Sequence, residues 1–376
     1  MANKFWSLEL GSLMRKPKPV AIQPLYNHFE KSIELEKKIL CFSRLQLHKE
    51  LQIFDVPIQF QGQQQMMHTI KCGDNESNKD TLVLIHGYSG SLTLFYPILK
   101  DLSKRFRVYC VDLLGLGLSS RADFPCQTTG ETLDYFVDSL EEWRKAVGLE
   151  RFFIGGHSFG GYISAFYALK HQNMLDGLYM FSPTGITPRE INENHQREWG
   201  PTMTWGQRQF WSMYFEGYSR YIWKDRVTPC ELVRQNPTLA KYVIRTYMSS
   251  LYGVKRQEAS LTSDYIFEML SIPGGSEKSI HYILRPPCMD AYIPLEKYIL
   301  NDLSLPIHCY YGEQDWVDWT GAQKIAENQK AKNFKFHWIP HSGHQLFIQN
   351  PKGLTHSVLK TIEDRIEERE KFNLHY

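Results

Sequence analysis

The stretch FFIGGHSFGGYISAFY, residues 152–167, sets four glycines around a His-Ser pair inside an otherwise apolar run. Glycine inside a helix or strand costs about 0.5–1 kcal/mol relative to alanine, so a cluster marks backbone shapes or close approaches that a side chain would forbid. Gly156, His157, Ser158, Phe159 and Gly160 spell GxSxG, with a strand-like run (RFFIGG) before it and a helix-like run (GGYISAFYALKHQ) after it. A sharp strand-to-helix turn here holds the serine in a strained backbone conformation, at roughly 1–3 kcal/mol, and lifts its hydroxyl above the sheet. The glycines make room for that one serine. Residues 152–169 carry no charge and match a short membrane span in length, but their glycines, histidine and serines argue for strand, turn and buried helix.

Outward from this turn the chain alternates. TLVLIHG (81–87) and FRVYCVDLLG (106–115) are compact apolar runs ending in glycine turns, as buried parallel strands do. Helix-like segments occupy 93–104 and 131–147, and LDGLYMFSP (175–183) is the strand after the serine helix. Such β/α alternation predicts an α/β fold with a mostly parallel, doubly wound sheet. Residues 184–300 break it, being rich in Trp, Tyr, Phe, Arg and Pro with helical periods and no convincing strand. PIHCYYGEQD (306–315) and NFKFHWIPHSGH (333–344) restore it, and 353–370 reads as a closing helix. At the other end, 1–27 reads as an extended arm, 28–51 as an amphipathic helix and 53–70 as antiparallel strands. The expected organisation is therefore an N-terminal arm and helix (1–52), a core in two parts (53–185 and 301–376) and an inserted helical cap (186–300).

With a formal charge of +2 and 22% charged residues in 376, composition is that of a globular protein, and nothing in it calls for a nucleic-acid partner. Seven cysteines (Cys41, Cys72, Cys110, Cys126, Cys230, Cys288, Cys309) are scattered without a metal-binding spacing, so a reducing compartment is expected and neither a metal nor a cofactor is. The N-terminus lacks an apolar run followed by a small-residue cleavage site, which argues against secretion. Its first 29 residues carry Lys4, Arg15, Lys16 and Lys18 against Glu9, and the expected location is peripheral to an organellar membrane, the mitochondrion first.

A serine hydroxyl attacks only when a base takes its proton, and the base needs a third group to fix its tautomer. His344 follows the last expected strand and Asp315 the one before it, giving the order Ser, Asp, His at the carboxyl ends of strands. Asp318 is an alternative acid and His341 an alternative base. The backbone N–H groups of Phe159 and Tyr88, the latter after the strand ending in His86-Gly87, are the candidate oxyanion donors.

LIHGYSGS, VDLLGLGLSSR, GGHSFGGYISAFYALKH, YGEQDWVDWTGA and PHSGHQLFIQNP resemble the α/β-hydrolase branch of plant and fungal lysophospholipid and cardiolipin deacylases and animal N-acyl-phospholipid lipases. The resemblance implies an α/β-hydrolase fold and removal of acyl chains from phospholipids, with Ser158, Asp315 and His344 at the triad positions and no cofactor. Part of that branch has an H-x4-D motif associated with acyl transfer; here Gln349 stands five residues after His344. His157 and Arg285 are expected to touch substrate, Arg285 as a phosphate ligand or else in a salt bridge. Residues 208–256, with nine Lys/Arg against three acids and an aromatic period from Phe210 to Trp223, suit peripheral contact with an anionic membrane. The competing expectation is a hydrolase fold serving as a non-enzymatic subunit of a membrane-associated assembly.

Overall fold

The computed structural model describes residues 22–73, 79–188, 223, 226–285, 290–328 and 331–373. Its centre is an eight-stranded sheet in the order β1-β2-β4-β3-β5-β6-β9-β10. The strands are β1 (Leu51–Phe60), β2 (Gln63–Cys72), β3 (Thr81–Ile85), β4 (Arg107–Val111), β5 (Phe152–His157) and β6 (Leu175–Phe181), then β9 (Ile307–Gly312) and β10 (Phe334–Ile339). Only β2 runs against the rest of this sheet, antiparallel to both β1 and β4. Between β6 and β9 a two-stranded hairpin, β7 (Leu284–Arg285) with β8 (Asp290–Ala291), stands where no strand was expected. Two paired residues a side are too short to register as a period in the sequence.

Side chains alternate across the sheet, so Leu82 and Leu84 of β3 face one apolar core while Val83 and Ile85 face the other. Helices cover both faces: α1 (Ile22–Leu40), α2 (Tyr96–Ser103), α3 (Thr129–Val147) and α4 (Phe159–His171) before the insertion. The insertion carries α5 (Pro229–Gln235), α6 (Pro237–Ser250), α7 (Arg256–Ser271), α8 (Ile280–Ile283) and α9 (Glu296–Asn301). The chain closes with α10 (Thr320–Glu327), α11 (Leu346–Gln349) and α12 (Pro351–Asn373). The aromatic run from Phe210 to Tyr221 and the arm before Ile22 lie outside the described residues. Trp223 packs inward, donating its Nε1–H to the Leu284 carbonyl at 2.9 Å, so this end of the aromatic period belongs to packing.

The first helix runs from Ile22 to Leu40 rather than over 28–51. Pro24 falls in its opening turn, where a missing N–H costs nothing. Beyond Leu40 the chain tightens into a short turn, Arg44 takes φ 60°, and the His48 N–H donates to the Leu51 carbonyl at 2.7 Å, which leads into β1. Tertiary pairing thus ends a pattern that would otherwise continue.

A buried polar chain fastens α1 and the cap to the sheet. His68 on β2 bonds Glu36 of α1 at 3.0 Å and Asp55 of β1 at 2.7 Å, while Glu36 also accepts from the Thr93 hydroxyl at 2.6 Å. Thr93 and Ser91 both meet the Tyr265 hydroxyl of α7, at 3.0 and 2.8 Å. Burial pulls the His68 pKa down, but the Glu36 charge and the two carboxylate hydrogen bonds outweigh it and raise the value to about 10. A folded-state pKa above the unfolded value, about 6.5, stabilises fully below that value and progressively less as pH rises through the folded pKa. The denaturation midpoint should therefore decline between about pH 6.5 and pH 10, and His68→Gln should flatten that slope in chemical-denaturation titrations.

Candidate active site

Ser158 occupies the turn between β5 and α4 with φ 54° and ψ −118°, a conformation L-residues rarely adopt. What holds it there is crowding. A Cβ on Gly160 would lie 2.3 Å from the His86 carbonyl oxygen, and one on Gly156 would lie 2.3 Å from the Gly160 carbonyl oxygen. One on Gly161 would reach Gly156 O at 2.9 Å, and one on Gly155 would press Leu84 and Phe181 at 3.1 Å. The helix carrying Ser158 therefore lies directly on the ends of β3 and β5, and the Ser158 N–H donates to Phe181 O at 2.9 Å.

His344 is brought to the serine by the turn after β10. Its Nε2 lies 3.0 Å from Ser158 Oγ and its Nδ1 3.1 Å from Asp315 Oδ1. Asp315 is fully buried and also accepts the Val317 N–H at 2.9 Å. The two alternatives lie elsewhere: Asp318 Oδ1 accepts from the Thr320 N–H and hydroxyl at 2.9 and 2.7 Å, and His341 is exposed. Its φ of 52° marks the sharp turn rather than the site.

His157 lines the pocket, but its Nε2–H is committed to the His344 carbonyl at 2.9 Å. Burial first, and the neighbouring His344 ring second, hold its pKa far below the ordinary imidazole range, so it stays neutral and acts as a strut for the His344 turn. Arg285 does not line the pocket; it forms an ion pair with Asp290 at 2.5 Å across the β7–β8 hairpin. The substrate role expected of it gives way to the salt-bridge alternative.

The loop after β3 faces the serine from the other side. A Cβ on Gly87 would stand 2.9 Å from His157 Nδ1 and 3.1 Å from Ser158 Cβ, so only glycine fits. His86 holds the loop, its Nδ1–H donating to Gly87 O at 2.8 Å and its Nε2 accepting the Leu113 N–H at 3.0 Å. That pairing needs a neutral ring, and burial lowers its pKa accordingly. Tyr88 follows, its hydroxyl donating to the Glu277 carbonyl of the cap and its ring edge-on to Phe159 at 5.9 Å. The Phe159 N–H, at the first position of α4, has no acceptor within the helix.

Two residues here escaped the sequence reading. The Trp316 ring lies 4.5 Å from the His344 ring, with the His157 ring 4.7 Å away from it; an imidazolium formed at His344 would meet the π-cloud of Trp316. Gln349 Oε1 accepts the N–H groups of Gly343 and Gln345 at 3.0 and 3.2 Å, clamping the turn on both sides of His344. Trp316 follows Asp315 in the chain and Gln349 was singled out by its spacing, but neither contact is visible before folding.

A pocket of about 310 Å³ opens on Ser158 and runs beneath the cap. Its far walls are Val233, Ala240, Val243, Ile244, Met248 and Leu270, and among the described residues no Lys, Arg, Asp or Glu lines it. Among the described residues no group of His, Cys, Asp and Glu is placed to hold a metal ion.

The alpha/beta hydrolase fold family matches residues 80–351, and the chain belongs to that family. It is 33% identical over 298 residues to a probable 1-acylglycerol-3-phosphate O-acyltransferase of Oryza sativa subsp. japonica, covering 76% of this chain and 67% of the relative. It is 24% identical to the (Lyso)-N-acylphosphatidylethanolamine lipase of Homo sapiens, covering 81% and 85%. These relatives bear out the expected branch. Among solved structures the carboxylesterase CesB of Bacillus subtilis superposes with a TM-score of 0.60 at 16% identity over 89% of this chain and 97% of its own, a likeness of fold. Gly160→Ala should lower stability by 3 kcal/mol or more, about the scale of a severe backbone clash, as read by calorimetry against wild type.

Proposed function

We propose that the protein is a serine hydrolase cleaving acyl esters of the phospholipid or lysophospholipid class. The carrying observation is the hydrogen-bonded chain Ser158–His344–Asp315, with Ser158 and His344 lining a pocket whose described residues include no Lys, Arg, Asp or Glu. Ser158 Oγ attacks the ester carbonyl while His344 Nε2 takes its proton, and Asp315 keeps Nδ1–H pointed away from the serine. The N–H groups of Phe159 and Tyr88 receive the oxyanion, a contribution of roughly 2.7–4 kcal/mol per donor where such donors have been removed. Collapse transfers the acyl group to Ser158 and passes the proton from His344 to the leaving alcohol. Water then repeats the sequence and releases the fatty acid.

The pocket supports the acyl half of the substrate. At about 310 Å³ it holds on the order of ten methylene groups, each taking about as much space as the 30 Å³ share of one water. That suits an acyl chain. The lipid headgroup, charged in any phospholipid, stays outside the described lining.

A second reading, acyl transfer to a lysophospholipid, is favoured by the name of the rice relative. Gln349, in place of the aspartate of the H-x4-D motif and engaged as a backbone clamp, favours water as acceptor. Incubation with an acyl-CoA and 1-acylglycerol-3-phosphate separates the two, since the hydrolase reading expects free fatty acid and no diacyl product.

A fluorophosphonate should label wild type and not Ser158→Ala; a folded protein that resists it would support the non-enzymatic, assembly-subunit reading instead. Asp315→Asn should cut kcat on a p-nitrophenyl ester by about 10³- to 10⁴-fold, as loss of the orienting carboxylate does elsewhere, while Asp318→Asn stays within a few-fold. Ala240→Trp fills the distal pocket, so kcat/KM for a dodecanoyl ester should fall at least tenfold, about the effect of misfitting methylenes, with the butyryl ester little changed.

A further inference from the structure

The cap helix α6 has two apolar-capable faces, and only one is used by the pocket. Ala240, Val243, Ile244, Tyr247 and Met248 follow the i, i+3, i+4 spacing of a helix and line the cavity. The opposite side presents Leu239 and Tyr242 to solvent, the tyrosine 70% exposed, with Lys241 and Arg245 between and beside them. Just beyond the helix Tyr252 is 69% exposed, followed by the exposed Lys255 and Arg256. Tyr252 stands beside the His344 turn, its ring 6.5 Å from that of His341.

Exposed aromatics grouped on one surface with cations around them mark a candidate interaction site. The charge says with what. No Asp or Glu occurs between residues 232 and 257. From the elements packed against this surface, Asp264 of α7 approaches Arg245 at 3.8 Å, and the Ser260 hydroxyl takes one of that guanidinium's N–H groups at 2.8 Å. Glu258 of α7 is partly buried, and Glu231 of α5 is bound to the start of its own helix. The Lys241 ammonium lies over the Phe267 ring at 4.4 Å, on a residue that is exposed. Arg234, by contrast, is spent on Glu277 at 2.7 Å, and Arg226 covers the Tyr282 ring.

We infer that the outer face of α6, with Tyr252, Lys255 and Arg256, docks on the surface of an anionic phospholipid bilayer. Tyrosines at headgroup depth with lysines and arginines beside them fit that interface. Its opposite face lines the acyl pocket, so the same helix that meets the lipid borders the route to Ser158. That functional sense rests on the hydrolase reading; the docking surface does not.

The test uses the full chain in flotation assays with vesicles of phosphatidylcholine alone or with 30 mol% phosphatidylglycerol, a probe fraction of about one lipid in three. Wild type should float with the anionic vesicles and not the neutral ones. Each cation near such a surface changes affinity about fivefold, so Lys255→Glu with Arg256→Glu should weaken binding at least 25-fold by that measure, and Tyr242→Ser with Tyr252→Ser should weaken binding to the anionic vesicles as well. Glutamates at the start of α7 favour the helix, and hydrolysis of p-nitrophenyl butyrate in the absence of vesicles reports that each variant is folded and its serine competent. Loss of that hydrolysis in wild type would overturn the enzymatic reading and leave docking standing. Vesicle binding that is absent in wild type, or equal in the variants, overturns the docking surface. So does a dimer, seen by light scattering, that the tyrosine substitutions dissolve.

Discussion

One steric constraint organises the molecule: the backbone of α4 must lie on the ends of β3 and β5 closely enough that Gly156 and Gly160 have no space for a methyl group. Ser158 keeps its left-handed backbone only because its neighbours leave it no other path. The same contact delivers the loop after β3 to the serine, since the carbonyl that excludes a side chain at Gly160 belongs to His86. The strain at Ser158, the placement of the loop after β3 and the position of the Ser158 hydroxyl beside the pocket are thus consequences of one close approach.

The remaining machinery is kept in place by groups that carry no charge. His86 and His157 are both driven neutral by burial and both spend an N–H on a backbone carbonyl, one shaping the loop before Tyr88, the other holding the turn of His344. A neutral imidazole beside His344 has a chemical advantage. It would add no repulsion to a proton on His344, and the Trp316 ring lies 4.5 Å from the His344 ring. Gln349 completes the support through its amide oxygen alone.

The succession of strands along the chain and the serine turn could be read from the sequence because buried parallel strands and glycine crowding leave strong local marks, in TLVLIHG and FFIGGHSFGG alike. The positions of Ser158, Asp315 and His344 followed from strand ends and order, and the geometry brings those three together. Long-range matters were illegible. That Arg285 would meet Asp290, that α1 would stop at Leu40, and that Trp223 would turn toward Leu284 depend on partners distant in space or on pairing that overrides period. The β7–β8 hairpin was too short to leave a pattern.

Glu36 lies well before residue 80, where the family match begins, yet its carboxylate is buried against His68 and Thr93, which lead on to the loop before the serine. The unit that folds is therefore larger than the span the family model matches. A chain trimmed to residues 80–351 would be left without the strands β1 and β2 and without the counter-charge carried by α1, opening the sheet edge beside β4 to water. The helix that carries Glu36 is a structural part of the domain, tied to β2 and to the loop after β3 through one buried carboxylate.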